Sequence, residues 1–294
     1  MKIEPECIPC LVERGYKEAS RAAKNKEQLI QIMVKVLEVL GKNISSQVAP
    51  AYLGTLRDRI IKQMLGEDPY KELKKVSNKL ALEILPFMEK FAFENFSKDE
   101  YECFRRVCMI SVAANSMEFD VLGYEFKPEN LKEALQNLEL TVDNLSETYR
   151  HLKNSKKALI LTDNAGEIVF DGLLAECLRN MGLKVTMAVK AEPILNDATM
   201  EDALMVGVDK KVDELTTIGT DSVGLLWEEA SEEIKKKFMD SDLVIAKGMG
   251  NYESLTELSN IGVKVLFLLK AKCNPVARNI GVQKGSNVAL LKKL

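Results

Sequence analysis

The second half of the chain contains short, apolar, β-branched runs that alternate with stretches of helical character. These runs are ALILT (158–162), KVTMAVK (184–190), DLVIAKG (242–248) and VKVLFLLKA (263–271), with NVALLKKL (287–294) as a candidate last strand. Helical stretches lie around 167–181, 198–206, 222–239 and 252–260. Continuous apolar strands separated by helices are typical of a parallel sheet that is covered on both faces. We therefore predict an α/β fold with a doubly wound, mostly parallel, Rossmann-like sheet.

The first half has the periodicity of helices. The clearest stripe, with apolar side chains at steps of three and four, consists of Leu131, Leu135, Leu138, Val142, Leu145, Tyr149 and Leu152. It predicts one long helix that Pro128 opens near its first turn. We expect a helical N-terminal domain over residues 1–125. A second domain, over residues 126–294, would consist of this linking helix followed by the α/β part.

Composition excludes several classes of protein. With 46% hydrophobic and 29% charged residues, the chain is typical of a globular protein with a proper core. A net charge of −3 without a dominant basic patch gives no reason to expect nucleic acid as a partner. No apolar run approaches the roughly 20 residues of a transmembrane helix, and the start lacks the apolar stretch of a signal peptide. We therefore expect no membrane partner and a cytoplasmic location.

The chain has a single histidine, His151, at the predicted end of a helix. Catalytic triads and histidine-rich metal sites are disfavoured together. Acid–base and metal chemistry must therefore use Asp, Glu, Asn and Lys.

Three predicted strands end in polar segments: TDNAGE (162–167), VKAEPILNDAT (189–199) and AKGMGNYES (246–254). Ligands of open parallel sheets bind beyond the carboxyl ends of the strands. Asp163 and Asn164 supply hard oxygen ligands, and Asp197 adds a carboxylate from the neighbouring loop, a combination that suits Mg²⁺ or Mn²⁺. Lys190 and Lys247 stand at strand ends, where they can neutralise phosphate.

Each segment alone has a simpler interpretation, because DNAG, LNDAT and KGMG are also good turn and cap sequences. The position of all three at one edge of the predicted sheet favours a ligand site. Glycines at 248 and 250 permit close approach of the backbone to a ligand, and Asn251 and Glu253 follow directly. No GxGxxG follows the first strand and no GxxxxGK[ST] occurs, so dinucleotide and P-loop sites are unsupported.

Together these segments resemble a known family. TDNAGE, NDAT after Lys190, KGMGNYES and the helical AANSMEFD (113–120) are similar to the domain-of-unknown-function family described as metal-dependent damage-control phosphatases. Relatives in that family include the phosphatase domain fused to eukaryotic pantothenate kinase. The ECIPC segment (6–10) resembles the short microbial branch. The resemblance extends from Cys7 to the last strand.

The resemblance implies a phosphatase for sugar phosphates or damaged phosphometabolites, with one divalent ion (Mn, Ni, Co or Mg). It assigns the metal to Asp163, Asn164 and Asp197. It places Lys247, Gly248 and Asn251 against the phosphate, with Glu253 close by. It also brings Asn115 and Glu118 to the other wall of the pocket, although many relatives have Asp at the position of Glu118.

The implied reaction is metal-assisted hydrolysis. Lysine and backbone N–H groups stabilise charge on the phosphoryl group, and Glu167 or Asp163 takes the proton of the attacking water. Attack by Asp163 itself, through an aspartyl-phosphate, is an alternative route. The sequence fixes neither the physiological substrate nor the oligomeric state.

Two other function classes stay open. One is a protein that binds phosphometabolites without turnover, and the other is a thiol redox protein built on Cys7 and Cys10. This pair has the spacing of a zinc or redox site. A four-cysteine zinc site would also require Cys103 and Cys108 to converge with it. Buried, inert thiols are the remaining interpretation of the six cysteines.

Overall fold

The computed structural model describes residues 1–94, 96, 98–116, 135 and 138–294. Glu118, the predicted boundary at residue 125 and most of the predicted linking helix lie outside these residues. The described residues up to 116 form the helices α1 (Cys7–Ala22), α2 (Lys26–Asn43), α3 (Pro50–Leu65), α4 (Lys71–Phe93) and α5 (Glu100–Ser116).

From residue 140 onward, strands and helices alternate. The strands are β1 (Leu140–Asp143), β2 (Lys157–Leu161), β3 (Lys184–Val189), β4 (Glu214–Thr217), β5 (Leu243–Lys247), β6 (Lys264–Lys270) and β7 (Asn287–Lys293). The helices between them are α6 (Leu145–Leu152), α7 (Glu167–Asn180), α8 (Met200–Met205), α9 (Glu232–Met239), α10 (Gly248–Leu255) and α11 (Asn274–Ile280). A short 3₁₀ turn occupies Val208–Lys210.

These strands form one sheet in the order β1-β7-β6-β5-β2-β3-β4. All neighbouring pairs are parallel except β6 and β7, which are antiparallel. From β2 the chain proceeds outward to β3 and β4, and then returns to β5 on the other side of β2. The strand order therefore reverses between β2 and β5, and such a switch point is where open α/β sheets bind ligands. The predicted mostly parallel, doubly wound α/β fold is confirmed.

Both faces of the sheet are covered by helices. On one face Ile160, Met187 and Leu266 share a core with α4, α5 and α7. On the other face Leu159 and Phe267 share a core with α9, α10 and α11. Helices α1, α2 and α3 enclose a third core of their own. No helix among the described residues is long and apolar enough to cross a membrane.

The prediction of one long helix through residue 152 is wrong at residues 140–143, because β1 lies there and only Leu145–Leu152 is helical after it. Leu140 and Val142 are half-buried while their neighbours are exposed, which is the period of a strand, and the segment pairs with β7. Positions 138 and 142 are four residues apart, a spacing that fits both a helix and a strand, so the apolar stripe did not distinguish between them. Asp143 then accepts a hydrogen bond from the backbone N–H of Leu145 (3.0 Å), and α6 begins there.

Other element predictions are corrected in their bounds. The stretch 222–239 is helical only in α9, which begins where Ser231 caps it through the N–H of Ile234 (3.3 Å). The helix expected around 252–260 is α10, which begins at Gly248 and ends at Leu255. Strand β4 was not predicted, because its sequence ELTT is polar and only partly buried.

Substitution of Phe267 tests the packing of the core beneath the site. Its side chain is fully buried in β6 and packs edge to face on Tyr252, with ring centroids 5.2 Å apart. We expect Phe267→Ala to lower the free energy of unfolding by about 3–5 kcal/mol, because it leaves a cavity between sheet and helix. Leu204→Ala, at a position that is 55% exposed, is the control and should change it by less than about 0.5 kcal/mol. Urea denaturation measures both, and equal losses would contradict this packing.

Candidate active site

The loops after β2 and β5 meet at the switch point of the sheet. Asp163 and Asn164 follow β2, while Lys247 ends β5 and Gly248 begins α10. The Asn251 side-chain amide joins the two loops, because Nδ2 donates to the carbonyls of Thr162 (3.1 Å) and Lys247 (2.8 Å). Asn251 thus has a positioning role in the structure, and its contact with a phosphate stays a prediction.

The Asp163 carboxylate lies directly against Gly248. A Cβ atom at position 248 would stand 1.9 Å from Asp163 Oδ2, and the φ of Gly248 is +73°, so both space and backbone conformation require glycine. Oδ2 accepts hydrogen bonds from Nδ2 of Asn115 (2.9 Å) and Nδ2 of Asn164 (3.1 Å). Oδ1 accepts none from the residues that the structure describes, and it is therefore available to a ligand.

Glu167, at the start of α7, contacts the same two side-chain amides, those of Asn115 and Asn164. Its carboxylate accepts hydrogen bonds from Asn164 Nδ2 (2.5 Å) and from Asn115 Nδ2 (3.0 and 3.1 Å). Because the nitrogen of Asn164 faces the two acids, its Oδ1 is left for a cation. Asn115 was assigned to this site by the family resemblance alone, and the structure places it there, at the end of α5.

Lys247 is buried between two acids. Its Nζ lies 3.0 Å from Asp171 Oδ1 and 3.4 Å from Glu167 Oε2, and none of its side chain is exposed. Burial alone would lower the pKa of Lys247, but the charges of Asp171 and Glu167 raise it above its ordinary value. Lys247 is therefore a fixed cation that neutralises acids of the site. Its contact with a phosphate stays a prediction.

The loop after β3 is hydrogen-bonded to the loop after β2. Asn164 and Asp197 pair as an antiparallel bridge, and the N–H of Ala198 donates to the carbonyl of Asp163 (2.8 Å). Lys190 Nζ lies 3.5 Å from Asp197 Oδ2 and donates to the carbonyl of Gly224 (2.9 Å). The structure thus brings the loops of the predicted metal ligands together at one edge of the sheet.

Negative charge exceeds positive charge at this edge. Burial, and then the charges of Glu167 and Asp197, raise the pKa of Asp163 to about 8. Burial likewise raises the pKa of Asp197 to about 6, although Lys190 opposes the shift. A cation held between these groups would relieve both shifts.

The donors fit a hard divalent ion, because they are carboxylate and amide oxygens. Among the described residues, no three His, Cys, Asp or Glu side chains are arranged to chelate a metal by themselves. A fit therefore needs the amide of Asn164 together with water or substrate oxygens. Mg²⁺ is typically held in this manner, through one or two carboxylates.

Two residues of this site were missed from the sequence. Asp171 follows Glu167 by one helical turn, and a pair of acids at that spacing in the apolar α7 was the available signal. Lys272 follows β6, and its charge lowers the pKa of Asp163 ahead of that of Lys247. Within the part of the chain that the structure describes, the Lys272 ammonium has no hydrogen bond or ion pair. Its position directly after the predicted strand VKVLFLLKA (263–271) was the available sequence signal.

Glu253 lines a cavity of about 120 Å³, between α1, α3 and the loops after β3 and β6, together with Cys7, Cys10 and Cys273. Its position close to a phosphate stays a prediction. Cys103 and Cys177 are instead buried in the sheet core, with sulfurs 4.0 Å apart.

Cys108 is buried in the same core. The four cysteines that a zinc site would need therefore do not converge, whereas zinc at Cys7 and Cys10 alone stays a prediction. Glu118 lies outside the described residues.

The chain is similar to known proteins of one family, in sequence and in structure. The family model described as the damage-control phosphatase ARMT1-like domain matches residues 3–288. A damage-control phosphatase of Archaeoglobus fulgidus is 36% identical over 291 residues, which cover 98% of this chain and 99% of that protein. Damage-control phosphatase PH1575 of Pyrococcus horikoshii is 30% identical over 298 residues, covering 100% and 99%. A crystal structure of that DUF89 family protein superposes with a TM-score of 0.88 over 100% of both chains, at 30% identity.

The close approach of Gly248 to Asp163 can be tested by metal binding. We expect Gly248→Ala to lower the affinity for Mn²⁺ at least about 10-fold, because the new methyl group displaces the carboxylate. Gly182→Ala is the matched control, since Gly182 has a φ of +91° and open space around it. Both variants carry similar backbone strain, and only the first should lose affinity in isothermal titration calorimetry. Equal affinities would contradict the role of Asp163.

Proposed function

Because this chain belongs to the family of ARMT1-like damage-control phosphatases, we propose that it hydrolyses phosphomonoesters of small metabolites with the help of a divalent metal ion. The names of its relatives support the phosphatase role. One observation supports metal dependence. Asp163 touches Gly248 and Asn164 pairs with Asp197, so these loops lie together at the switch point of the sheet. Sugar phosphates or damaged phosphometabolites are the proposed substrates.

Asp163, Asn164 and Asp197 are the residues that would hold the ion, which we propose to be Mn²⁺, Ni²⁺, Co²⁺ or Mg²⁺. When bound, such an ion supplies polarisation of a phosphoryl oxygen and a water molecule of lowered pKa. Asp163 and Asn164 each have one oxygen without a hydrogen bond from the described residues, and Asp197 contributes the nearby carboxylate.

The remaining charged groups divide into two kinds. Lys247 and Glu167 are buried to 1% exposure or less and satisfy one another, so they position the amides of Asn115 and Asn164. Asp163 is half-buried and therefore better placed than Glu167 to take a proton from water. The Lys272 ammonium, which has no partner among the described residues, lowers the pKa of Asp163 and is the better placed lysine to offset charge on the phosphoryl group.

Removing the central carboxylate tests the metal site. We expect Asp163→Asn to lower kcat/KM for p-nitrophenyl phosphate by at least about 100-fold, since even residues that only orient metal ligands are worth 10–100-fold. Asp240→Asn, at an exposed position, is the control and should keep the wild-type rate. Circular dichroism checks that both variants fold. A wild-type rate in Asp163→Asn would end the proposal.

Metal dependence is a separate test. Protein dialysed against EDTA should release no phosphate from p-nitrophenyl phosphate, and addition of Mn²⁺, Co²⁺, Ni²⁺ or Mg²⁺ should restore the rate. The reason is that the acids of the site repel an anionic substrate when no cation is present. Full activity in the chelated protein would refute a metal-dependent mechanism.

The same assays separate the alternatives. A non-catalytic binding protein would bind phosphorylated metabolites and release no phosphate with any of these ions. A thiol redox protein would lose its activity in Cys7→Ala and keep it in Asp163→Ala. An aspartyl-phosphate route would leave a phosphorylated protein that mass spectrometry detects after a rapid acid quench.

A further inference from the structure

Helix α4 buries the side chain of an asparagine, Asn78. This side chain is 0% exposed, although asparagine is a poor helix former and its amide is costly to bury without hydrogen bonds. Its Oδ1 accepts a hydrogen bond from the backbone N–H of Gly166 (2.7 Å), and its Nδ2 donates to Asp202 Oδ1 (2.9 Å). The amide therefore connects α4 to two other segments of the chain.

Both segments belong to loops of the proposed metal site. Gly166 lies in the loop after β2, directly before α7. Asp202 lies in the first turn of α8, and its Oδ2 accepts hydrogen bonds from the N–H (2.9 Å) and the hydroxyl (2.7 Å) of Thr199. Thr199 follows Asp197 by two residues. A chain of three hydrogen bonds, through Asn78 and Asp202, thus connects the loop after β2 with the loop after β3.

The two partners of Asn78 require an amide between them. Gly166 presents a donor and Asp202 an acceptor, so the side chain must offer one acceptor and one donor. A carboxylate would face a second carboxylate, and an apolar group would leave both partners unsatisfied. Lys74, one turn earlier on α4, also approaches Asp202, because its Nζ lies 3.5 Å from Asp202 Oδ2 and 3.2 Å from Asp68 Oδ2. Helix α4 therefore fixes Asp202 with two of its residues.

The loops also contact one another directly at their backbones. Asn164 pairs with Asp197, and the N–H of Ala165 donates to the carbonyl of Asn196 (2.8 Å). Asn78 adds an attachment of both loops to α4, which packs in the core shared with the sheet. A shift of either loop relative to α4 would break a buried hydrogen bond.

We propose that Asn78 is a positioning residue of the active site, which fixes the Asp163 loop and the Asp197 loop relative to one another and thereby sets the affinity for the metal ion. The inference rests on the proposed function, because the ion is part of it. Ligands on two separate loops bind one cation well only when the loops are held at the distance that the ion requires. Asn78 touches neither the ion nor the substrate in this role.

Isothermal titration calorimetry of the full chain with Mn²⁺ tests this role. We expect Asn78→Ala to lower the affinity by about 10–100-fold, the range for residues that orient metal ligands. Met88→Ala is the matched control, because Met88 lies on the same helix, is 1% exposed and packs in the same core. It should destabilise the protein in urea and keep the wild-type affinity. An unchanged affinity in Asn78→Ala, or an equal loss in Met88→Ala, would overturn the proposal.

A swap of the two side chains provides a second test if Asn78→Ala fails to fold. Asp202→Asn alone cannot accept from both Asn78 and Thr199 as the carboxylate does, so the affinity for Mn²⁺ should fall about 10-fold or more. Adding Asn78→Asp restores the match, since the new carboxylate accepts from Gly166 and from the new amide. The double variant should return to within about 3-fold of the wild type. A double variant no tighter than Asp202→Asn would contradict the proposal.

Amide exchange distinguishes failure of this inference from failure of the proposed function. If the wild type binds none of Mn²⁺, Co²⁺, Ni²⁺ and Mg²⁺, the metal-dependent phosphatase proposal fails, and Asn78 is then judged by the exchange of the Gly166 N–H, measured by NMR. In Asn78→Ala this amide should exchange at least about 10-fold faster relative to that of Ile245 in β5, because only the first loses its acceptor. Equal relative rates in variant and wild type would refute the positioning role, whether or not a metal ion binds.

Discussion

The site depends on one buried ion cluster, in which Lys247 at the end of β5 pairs with Asp171 and Glu167 on α7. All three side chains are at most 1% exposed, and removing one partner from such a cluster leaves a buried charge that costs several kcal/mol. Glu167 in turn accepts hydrogen bonds from the amides of Asn115 and Asn164. The same two amides also donate hydrogen bonds to the half-buried carboxylate of Asp163. A continuous chain of polar contacts thus connects the rigid core of the sheet to the group that would meet the ligand.

This arrangement leaves the negative charge of Asp163 and Asp197 only partly neutralised by the lysines of the site. Lys247 and Lys190 are both occupied by acids and carbonyls of the protein, yet the pKa values of Asp163 and Asp197 remain raised. A site of this kind is less stable without its ligands, because like charges are held close together in a poorly solvated cleft. The same repulsion would favour the proposed divalent cation, and its binding would add to the stability of the folded protein. Lys272 alone among these lysines keeps its ammonium free of partners within the described chain.

Sequence patterns predicted the central strands and the shared edge, because buried parallel strands have a continuous apolar signal and their ends carry the polar loops. They failed for β1 and β4, which lie at the edges of the sheet and are only half-buried. The role of Asn115 was accessible only through family resemblance, since no periodicity relates the end of α5 to β2. Asp171 shows the remaining limit, because only three-dimensional packing determines which partner a buried acid obtains. Lys247 was correctly placed at the edge, but its partners could not be inferred.

The proposed active site and the cavity beside it are built from different parts of the molecule. The active site is attached to the sheet, whereas the cavity wall with Arg14 and Arg57 belongs to α1 and α3, which pack around their own core. Gly15 permits that close packing, because a Cβ there would lie only 3.0 Å from Cδ of Arg57. The two parts meet at α10, because Met249 and Glu253 of that helix line the cavity and Gly248 at its start touches Asp163. The walls of the cavity and the ion cluster of Lys247 thus rest on different cores, although one helix connects them.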